Sequence, residues 1–281
     1  MQGSPEEPDV TIVVVAHSVR DELEQCLGSI AERAGVDVHT VLVDNASTDD
    51  TVEWARRAHP EAEVVALDRN LGVAARECGL RLARSRYTMF LDSDAQLTEG
   101  ALPALVRALD THPGWGLLGP RLEHEDGTLQ LSCRRFPPLV LPFLRRPPLD
   151  RFFDDSRLVR RHLMEDVDHS HPRAVPYVLG ACQIFRTELA RAAGPFDPRI
   201  FYGPDDIDWC IRIRDAGGEV VYFPAATVVH AYRRMTSSRP LSRTAGRHLK
   251  AFFYFQWKYR RRRRELSRLE QELDRREPLA A

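Results

Sequence analysis

The sequence predicts an α/β fold: a mostly parallel sheet flanked by helices, followed by a C-terminal helical extension. Three features predict it. Apolar runs of strand length alternate with helix-period segments through the first 120 of 281 residues, the pattern of right-handed βαβ units. Acidic residues close several of those runs, at the strand ends where open α/β sheets place ligands. The last 50 residues change character and read as one or two helices rich in aromatic and basic side chains.

Val10–Ala16 (VTIVVVA) is the first strand. Ser18 with Asp21 offers a capping-box start to a helix in which Leu23, Leu27 and Ile30 recur at helical spacing. Residues 40–43 form a second strand ending at Asp44, and a further cap, Ser47 with Asp50, leads into a helix over Thr51–Ala58. Residues 63–67 are a third strand, after which Asn70-Leu71-Gly72 turns the chain into a helix over 73–83. Residues 87–91 read as a buried strand, continuously apolar in its second half. A helix over 100–111 and a short strand at 116–118 follow. From 123 to 175 the pattern dissolves among Pro137, Pro138, Pro142, Pro147, Pro148 and clustered arginines. So long an irregular stretch is usually functional rather than core. Order returns at 175–185, in a helix over 188–193 ending at Gly194, in the segment 201–221, and in a last strand at 227–230.

Composition narrows the function. A formal net charge of −1 argues against a surface that tracks nucleic acid, so no nucleic acid is expected. Five cysteines (Cys26, Cys78, Cys133, Cys182, Cys210) are odd in number and lack a CxxC pair; free thiols in a reducing compartment are expected. The start, MQGSPEEPD, reverses the basic-then-apolar design of a signal peptide. No apolar run approaches the roughly 18 residues of a membrane span. The expected location is cytoplasmic.

Three acidic sites carry the chemistry. Asp44 can accept hydrogen bonds from a pyrimidine imide or a ribose; alternatively it caps the next helix. Asp92-Ser93-Asp94 ends an apolar strand with two carboxylates that repel unless a cation or a solvated turn relieves them. PDDIDW places Asp205, Asp206 and Asp208 in the first turn of a helix, where the dipole favours negative charge. Asp208 precedes Arg212 by four residues and reads as structural; Asp205 and Asp206 stand as candidates for a general base.

These residues sit in ordered motifs: VVVAHS with LEQCLGSI, VDNASTDDT, RNLGVAARECGL, FLDSDAQL, GACQIFRTELARAAGPFD, FYGPDDIDWCIRIRDAGGEVVYFP and VVH. Together they resemble the inverting glycosyltransferases of family 2, with the GT-A fold, and within them the bacterial rhamnosyltransferase-type members. The resemblance runs from residue 10 to 230 and is weakest over 123–175. It implies a GT-A domain over 1–235, with 123–175 an irregular acceptor-side insertion and 236–281 a basic, aromatic helical extension.

The resemblance also implies roles. Asp44 matches the position that contacts the base, and Arg69, Asn70 and Gly72 the turn along the nucleotide. Ala16 and Ser93 join that donor-binding set. Asp92 and Asp94 match the DXD pair, the first near the ribose and the last ligating Mg²⁺ or Mn²⁺. Gly180 and Ala181 match the small pair beside the sugar. Asp206 matches the catalytic base, with Asp205 where Glu is customary, and His230 a histidine that joins the metal shell. His17-Ser18 stand in place of an Asn-Tyr-Asn-like run, and Trp209 in place of Leu; Trp209 reads as core packing. The implied reaction moves a sugar, rhamnose by analogy, from a UDP or dTDP donor to a glycan or lipid-linked hydroxyl.

Two alternatives use the same residues. In a haloacid-dehalogenase-like phosphatase Asp92 would be the nucleophile, though that family carries it on the first strand. A non-catalytic descendant would bind nucleotide-sugar without turnover. The tail LKAFFYFQWKYRRRRREL suggests peripheral contact with the inner face of the cell membrane through 251–264; packing on the domain and a homodimer contact are its alternatives.

Overall fold

The computed structural model describes residues 7–147, 149–231 and 243–279. Residues 1–6 and the expected domain boundary at 235/236 lie outside them. Four strands, β1 (Val10–Ala16), β2 (Val38–Asp44), β3 (Glu63–Ala66) and β4 (Tyr87–Asp92), form a parallel half-sheet in the order β3-β2-β1-β4. Helices α1 (Arg20–Arg33), α2 (Thr51–Ala58) and α3 (Arg76–Leu82) make the crossovers, α3 being preceded by a 3₁₀ turn at Gly72–Ala75.

Beyond β4 the sheet becomes mixed. After the short β5 (Ala95–Leu97) and α4 (Ala101–Thr111), β6 (Trp115–Glu123) runs for nine residues, where the sequence suggested three. Pro120 interrupts the apolar pattern but sits at an irregular part of the ladder, where its missing donor is tolerated. The insertion holds β7 (Leu129–Gln130), β8 (Cys133–Arg134), α5 (Leu141–Leu144), α6 (Asp150–Phe153), α7 (Arg157–His162) and β9 (Arg173–Ala174). Next come β10 (Tyr177–Val178), β11 (Cys182–Arg186), α8 (Thr187–Ala193), α9 (Asp205–Asp215) and β12 (Glu219–His230). Strand β11 enters antiparallel between β4 and β6, and β12 pairs parallel with β6 and antiparallel with β5.

Strand alternation puts Ile12 and Val14 on one face and Val13 on the other. The first face packs under α1, α2 and α4 through Leu23, Leu27, Trp54 and Leu105. The second packs under α3, α8 and α9, with Trp209, 1% exposed, in an aromatic group with Phe90, Phe185 and Phe196.

Two expected helix caps are corrected. Ser18 does not cap α1, whose N-cap is Val19, nor does Ser47 cap α2, which starts after Asp50. Ser18 takes a positive φ of 52° and ties the two loops together: its N–H donates to Ser47 Oγ at 2.8 Å, and its Oγ accepts from the Thr48 N–H at 3.1 Å. Loop closure outcompetes local capping here because both loops meet above the ends of β1 and β2.

The extension forms α10 (Arg243–Lys258) and α11 (Arg263–Arg275). Phe252, Phe255 and Tyr259 are buried against the domain. Asp208, 2% exposed, anchors it: Oδ1 accepts from Lys258 Nζ at 2.6 Å and the Tyr259 hydroxyl at 2.9 Å, while Oδ2 accepts from Arg212 at 2.9 Å. Helix α11 in turn holds the insertion, as Glu270 accepts from the Phe136 N–H and Arg161, and Asp274 from Arg135. No helix of the described residues is long and apolar enough to cross a membrane.

Asp208→Ala would leave Arg212 without its buried carboxylate and Lys258 with Asp197 alone, a loss of about 3 kcal/mol, the low end for a broken buried pair. The expected result is a lower Tm together with faster tryptic cutting at 260–264. Unchanged melting and cleavage would show that the anchor does not hold the extension.

Candidate active site

The carboxyl ends of β1 and β4, the turn before α3, the start of α9 and the end of β12 surround one cleft of about 760 Å³. Its lining includes every expected site residue except Asp44 and Arg69. Asp94 and Asp206 therefore share a cavity.

Arg76 organises the cleft, and sequence reading assigned it no role. Its side chain is 10% exposed. Nη2 donates to Asp92 Oδ1 at 2.7 Å and to the Gly180 carbonyl at 3.0 Å, and Nη1 donates to Asp205 Oδ2 at 3.1 Å. The guanidinium also lies 5.3 Å from the Phe90 ring centroid. A Cβ on Gly180 would come within 3.1 Å of Arg76 Nη1 and 3.6 Å of Asp206 Cβ, so its smallness makes room for the guanidinium. Ala181 accepts from the Asp92 N–H at 2.9 Å.

The carboxylates of α9 differ in environment. Asp205 faces Arg76, so its charge is compensated even though burial raises its pKa. Asp206 is pushed up to about 8, first by desolvation and then by the negative charge of Asp205. Two adjacent acids are thus driven apart, one ionised against a cation and one holding its proton into the neutral range.

Asp92, Asp94 and His230 bring one ligand atom each to within 4.8 Å of one another. His230 Nε2 lies 3.3 Å from Asp94 Oδ1, and its Nδ1 contacts Gln130 Oε1 at 2.7 Å. Gln130, another residue sequence reading missed, thereby fixes the ring's orientation, as outer-shell partners of ligating histidines do. Burial opposes protonation of His230, but hydrogen bonding to Asp94 and the two aspartate charges outweigh it and raise its pKa.

The turn before α3 is rigid. Asn70 Oδ1 accepts from the Gly72 N–H at 2.8 Å and Asn45 Nδ2 at 3.2 Å, and Asn45 Oδ1 accepts from the Leu71 N–H at 2.7 Å. Gly72 has φ +59°, and a Cβ there would fall 2.0 Å from the Phe201 carbonyl, so no other residue fits. Asp44 lies between the cleft-lining Ala16 and Asn45 in the paired strand ends: Oδ2 accepts from the Ser47 N–H at 3.1 Å, and Oδ1 is buried with no partner among the described residues. Arg69 is exposed outside the lining.

A family model described as glycosyl transferase family 2 matches residues 11–191. An N-acetylglucosaminyl-diphospho-decaprenol L-rhamnosyltransferase of Mycobacterium tuberculosis is 27% identical over 263 residues, spanning 86% of this chain and 82% of its own. Among solved structures, GalNAc-T7 with UDP, GalNAc and Mn²⁺ superposes with a TM-score of 0.60 at 17% identity, covering 82% of this chain and 44% of its own. S. aureus TarS 1–349 in complex with UDP-GlcNAc gives 0.57 at 16% identity, covering 82% and 61%. The chain thus spans less than two thirds of either solved structure, and the likeness to them is one of fold, the GT-A architecture.

Linkage gives Asp206 a measurable signature. A carboxyl raised from 3.8 to about 8 on folding stabilises fully below pH 3.8, and that stability is lost as pH rises through about 8. Asp206→Asn should therefore melt above the wild type near pH 9, with the gap closing as pH falls toward 4. Circular dichroism melts across that range test it; equal melting near pH 9 would remove the penalty on the ionised carboxylate.

Proposed function

The chain belongs to glycosyl transferase family 2 and is a glycosyltransferase; we propose that it moves a sugar, rhamnose by its relative, from a nucleoside diphosphate to a hydroxyl of a lipid-linked glycan, with inversion. The observation that carries this reading is one cleft lined both by Asp92, Asp94 and His230, close enough together to share a cation, and by the carboxyl of Asp206.

Asp92, Asp94 and His230 would hold Mg²⁺ or Mn²⁺, whose chemistry there is neutralisation of the departing diphosphate. The imidazole favours Mn²⁺ of the two, the ion named with GalNAc-T7. Asp44 lies outside the cleft lining with Oδ1 buried and unpaired among the described residues, so an N–H of a uracil or thymine ring would meet it only if binding uncovers that oxygen. The Asn45–Asn70–Gly72 turn gives the nucleotide side a fixed wall.

Asp206 takes the proton of the attacking hydroxyl. A base whose pKa lies near the working pH combines an available lone pair with real proton affinity. Asp205 stays ionised on Arg76 and supplies the charge that raises its neighbour. One base and one attack from the face opposite the leaving group give inversion, whereas glycosidases need two carboxyl groups flanking the bond. The phosphatase alternative is disfavoured because one oxygen of Asp92 is engaged by Arg76.

The test is a panel of UDP-, dTDP- and GDP-sugars with Mn²⁺, read first as donor hydrolysis and then as transfer to a diphospholipid-linked sugar, with product anomer by NMR. Asp206→Asn should keep its calorimetric donor affinity and lose about 10²–10⁴-fold in kcat. In the wild type kcat/KM should climb with pH through a limb near 8, set by Asp206. A retained anomeric configuration, or full turnover in the variant, would refute the mechanism.

A further inference from the structure

The wall of the cleft built by the insertion and α10 is cationic and has no part in the chemistry above. Arg145, Arg146, Arg247 and His248 line it. Among the described residues Arg146 and Arg247 have no carboxylate within ion-pairing distance. Arg146 Nη2 instead donates to the Ala245 carbonyl and to His248 Nδ1, both at 3.3 Å. Arginine has only donors, so His248 Nδ1 accepts and its ring is neutral with the proton on Nε2. Burial and the charge of Arg146 hold that imidazole down to about 4. Arg247 stacks 4.4 Å from the Phe201 ring centroid, and Arg145 reaches only the weak 3.9 Å pair with Asp154. His248 also packs on Gly203, two residues before Asp205, where a Cβ would meet it at 2.9 Å. The cationic wall thus adjoins the loop that leads into the base.

Uncompensated guanidinium groups facing a cleft call for an anion, and planar forks suit phosphate. The donor diphosphate is already provided for at Asp92, Asp94 and His230, so the second anion belongs to the other substrate. What lies beside this wall identifies its chemistry further. Every large apolar side chain left exposed among the described residues lies between 139 and 158 or on α10, led by Phe152 at 67% and Trp257 at 55%. Phe143 and Phe253 bring the two segments together, with ring centroids 6.1 Å apart. Leu141, Pro142 and Phe252 continue this surface into the cleft lining. Helix α10 carries no acidic residue along its 16 positions; the acids of residues 139–158 are Asp150, Asp154 and Asp155. A concentration of exposed apolar groups bordered by cations fits a lipid.

We propose that Arg145, Arg146, Arg247 and His248 form an acceptor subsite that binds the phosphate of a lipid-borne acceptor, whose hydrocarbon chain leaves the cleft over the exposed apolar surface of 139–158 and α10. This rests on the reading of the acceptor as lipid-linked, and it extends the membrane contact expected at 251–264 to a surface built mainly by the insertion.

The test is equilibrium binding of farnesyl diphosphate, farnesol and inorganic pyrophosphate to the full chain saturated with UDP and Mn²⁺, which occupies the donor side. Farnesyl diphosphate should bind more tightly than either probe that carries only one of its parts. Arg146→Gln with Arg247→Gln should weaken it by about tenfold or more, the loss of charged hydrogen bonds, and leave farnesol binding unaltered. The double Lys variant, which keeps the charge, should retain most of the affinity and controls for folding. Farnesyl diphosphate binding equal to farnesol, or undiminished in the Gln variant, would overturn the subsite; binding equal to pyrophosphate would overturn the lipid surface. Should donor hydrolysis fail while these differences persist, the reading of the transfer reaction falls and the anion subsite stands.

Discussion

The buried guanidinium of Arg76 is the interaction on which the cleft depends. It lies between Asp92 at the end of β4 and Asp205 at the start of α9, and also holds the Gly180 carbonyl. Three elements far apart in sequence are thereby fixed at the distance of one planar fork. Without it, the carboxylates of Asp92, Asp205 and Asp206 would face one another with no cation between them, and their repulsion would push α9 away from the sheet. Lysine would keep the charge but not the three simultaneous, angularly fixed hydrogen bonds. Phe90 beneath the guanidinium links this polar knot to the aromatic core around Trp209.

From that pairing follows the division of labour on α9. Asp205 has its charge compensated and so remains an anion. Desolvation, and after it that anion, makes the neighbouring Asp206 reluctant to ionise. The shorter side chain at 205 is no handicap, because Arg76 reaches it directly at 3.1 Å. The next acid in the helix, Asp208, points away from the cleft to the C-terminal extension. Three aspartates within four positions thus serve three purposes: Asp205 meets Arg76, Asp208 meets Arg212 and Lys258, and Asp206 pairs with no cation among the described residues.

Much of this was legible in the chain. The boundaries of β1 and α2, the αβ alternation through α4, the core position of Trp209 and the structural role of Asp208 follow from local pattern, because periodicity and short-range pairing create them. Arg76 was not legible as an organiser: an arginine in a helix is ordinary, and only its place on the buried stripe with Gly79 and Leu80 hints at an inward charge. The partners that give it meaning lie 16 and 129 residues away. Gln130 was hidden for the same reason, 100 residues from His230. The antiparallel entry of β11 between β4 and β6 is a topological choice that an apolar run does not encode. The insertion looked unstructured because its order comes from ion pairs with α11 rather than from a repeating apolar face.

The aromatic run of the extension shows how one sequence feature can divide into two physical ones. Along α10 and into the turn after it, Phe252, Phe255 and Tyr259 form a buried stripe at helical spacing, the last two packed in the core and Phe252 beside the cleft. Phe253 and Trp257, four residues apart, form a second stripe that the domain leaves open, at 43% and 55% exposure. A helix that only needed to dock would carry one apolar stripe and a polar remainder. Isolated exposed apolar residues are normal on any protein surface, but here they gather on one side of the molecule and meet the insertion's own exposed rings. The first stripe fixes where α10 sits, and by fixing it presents the second stripe beside the mouth of the cleft. Position and exposure are therefore coupled: the Asp208 anchor that looks merely structural also sets the geometry of the apolar surface.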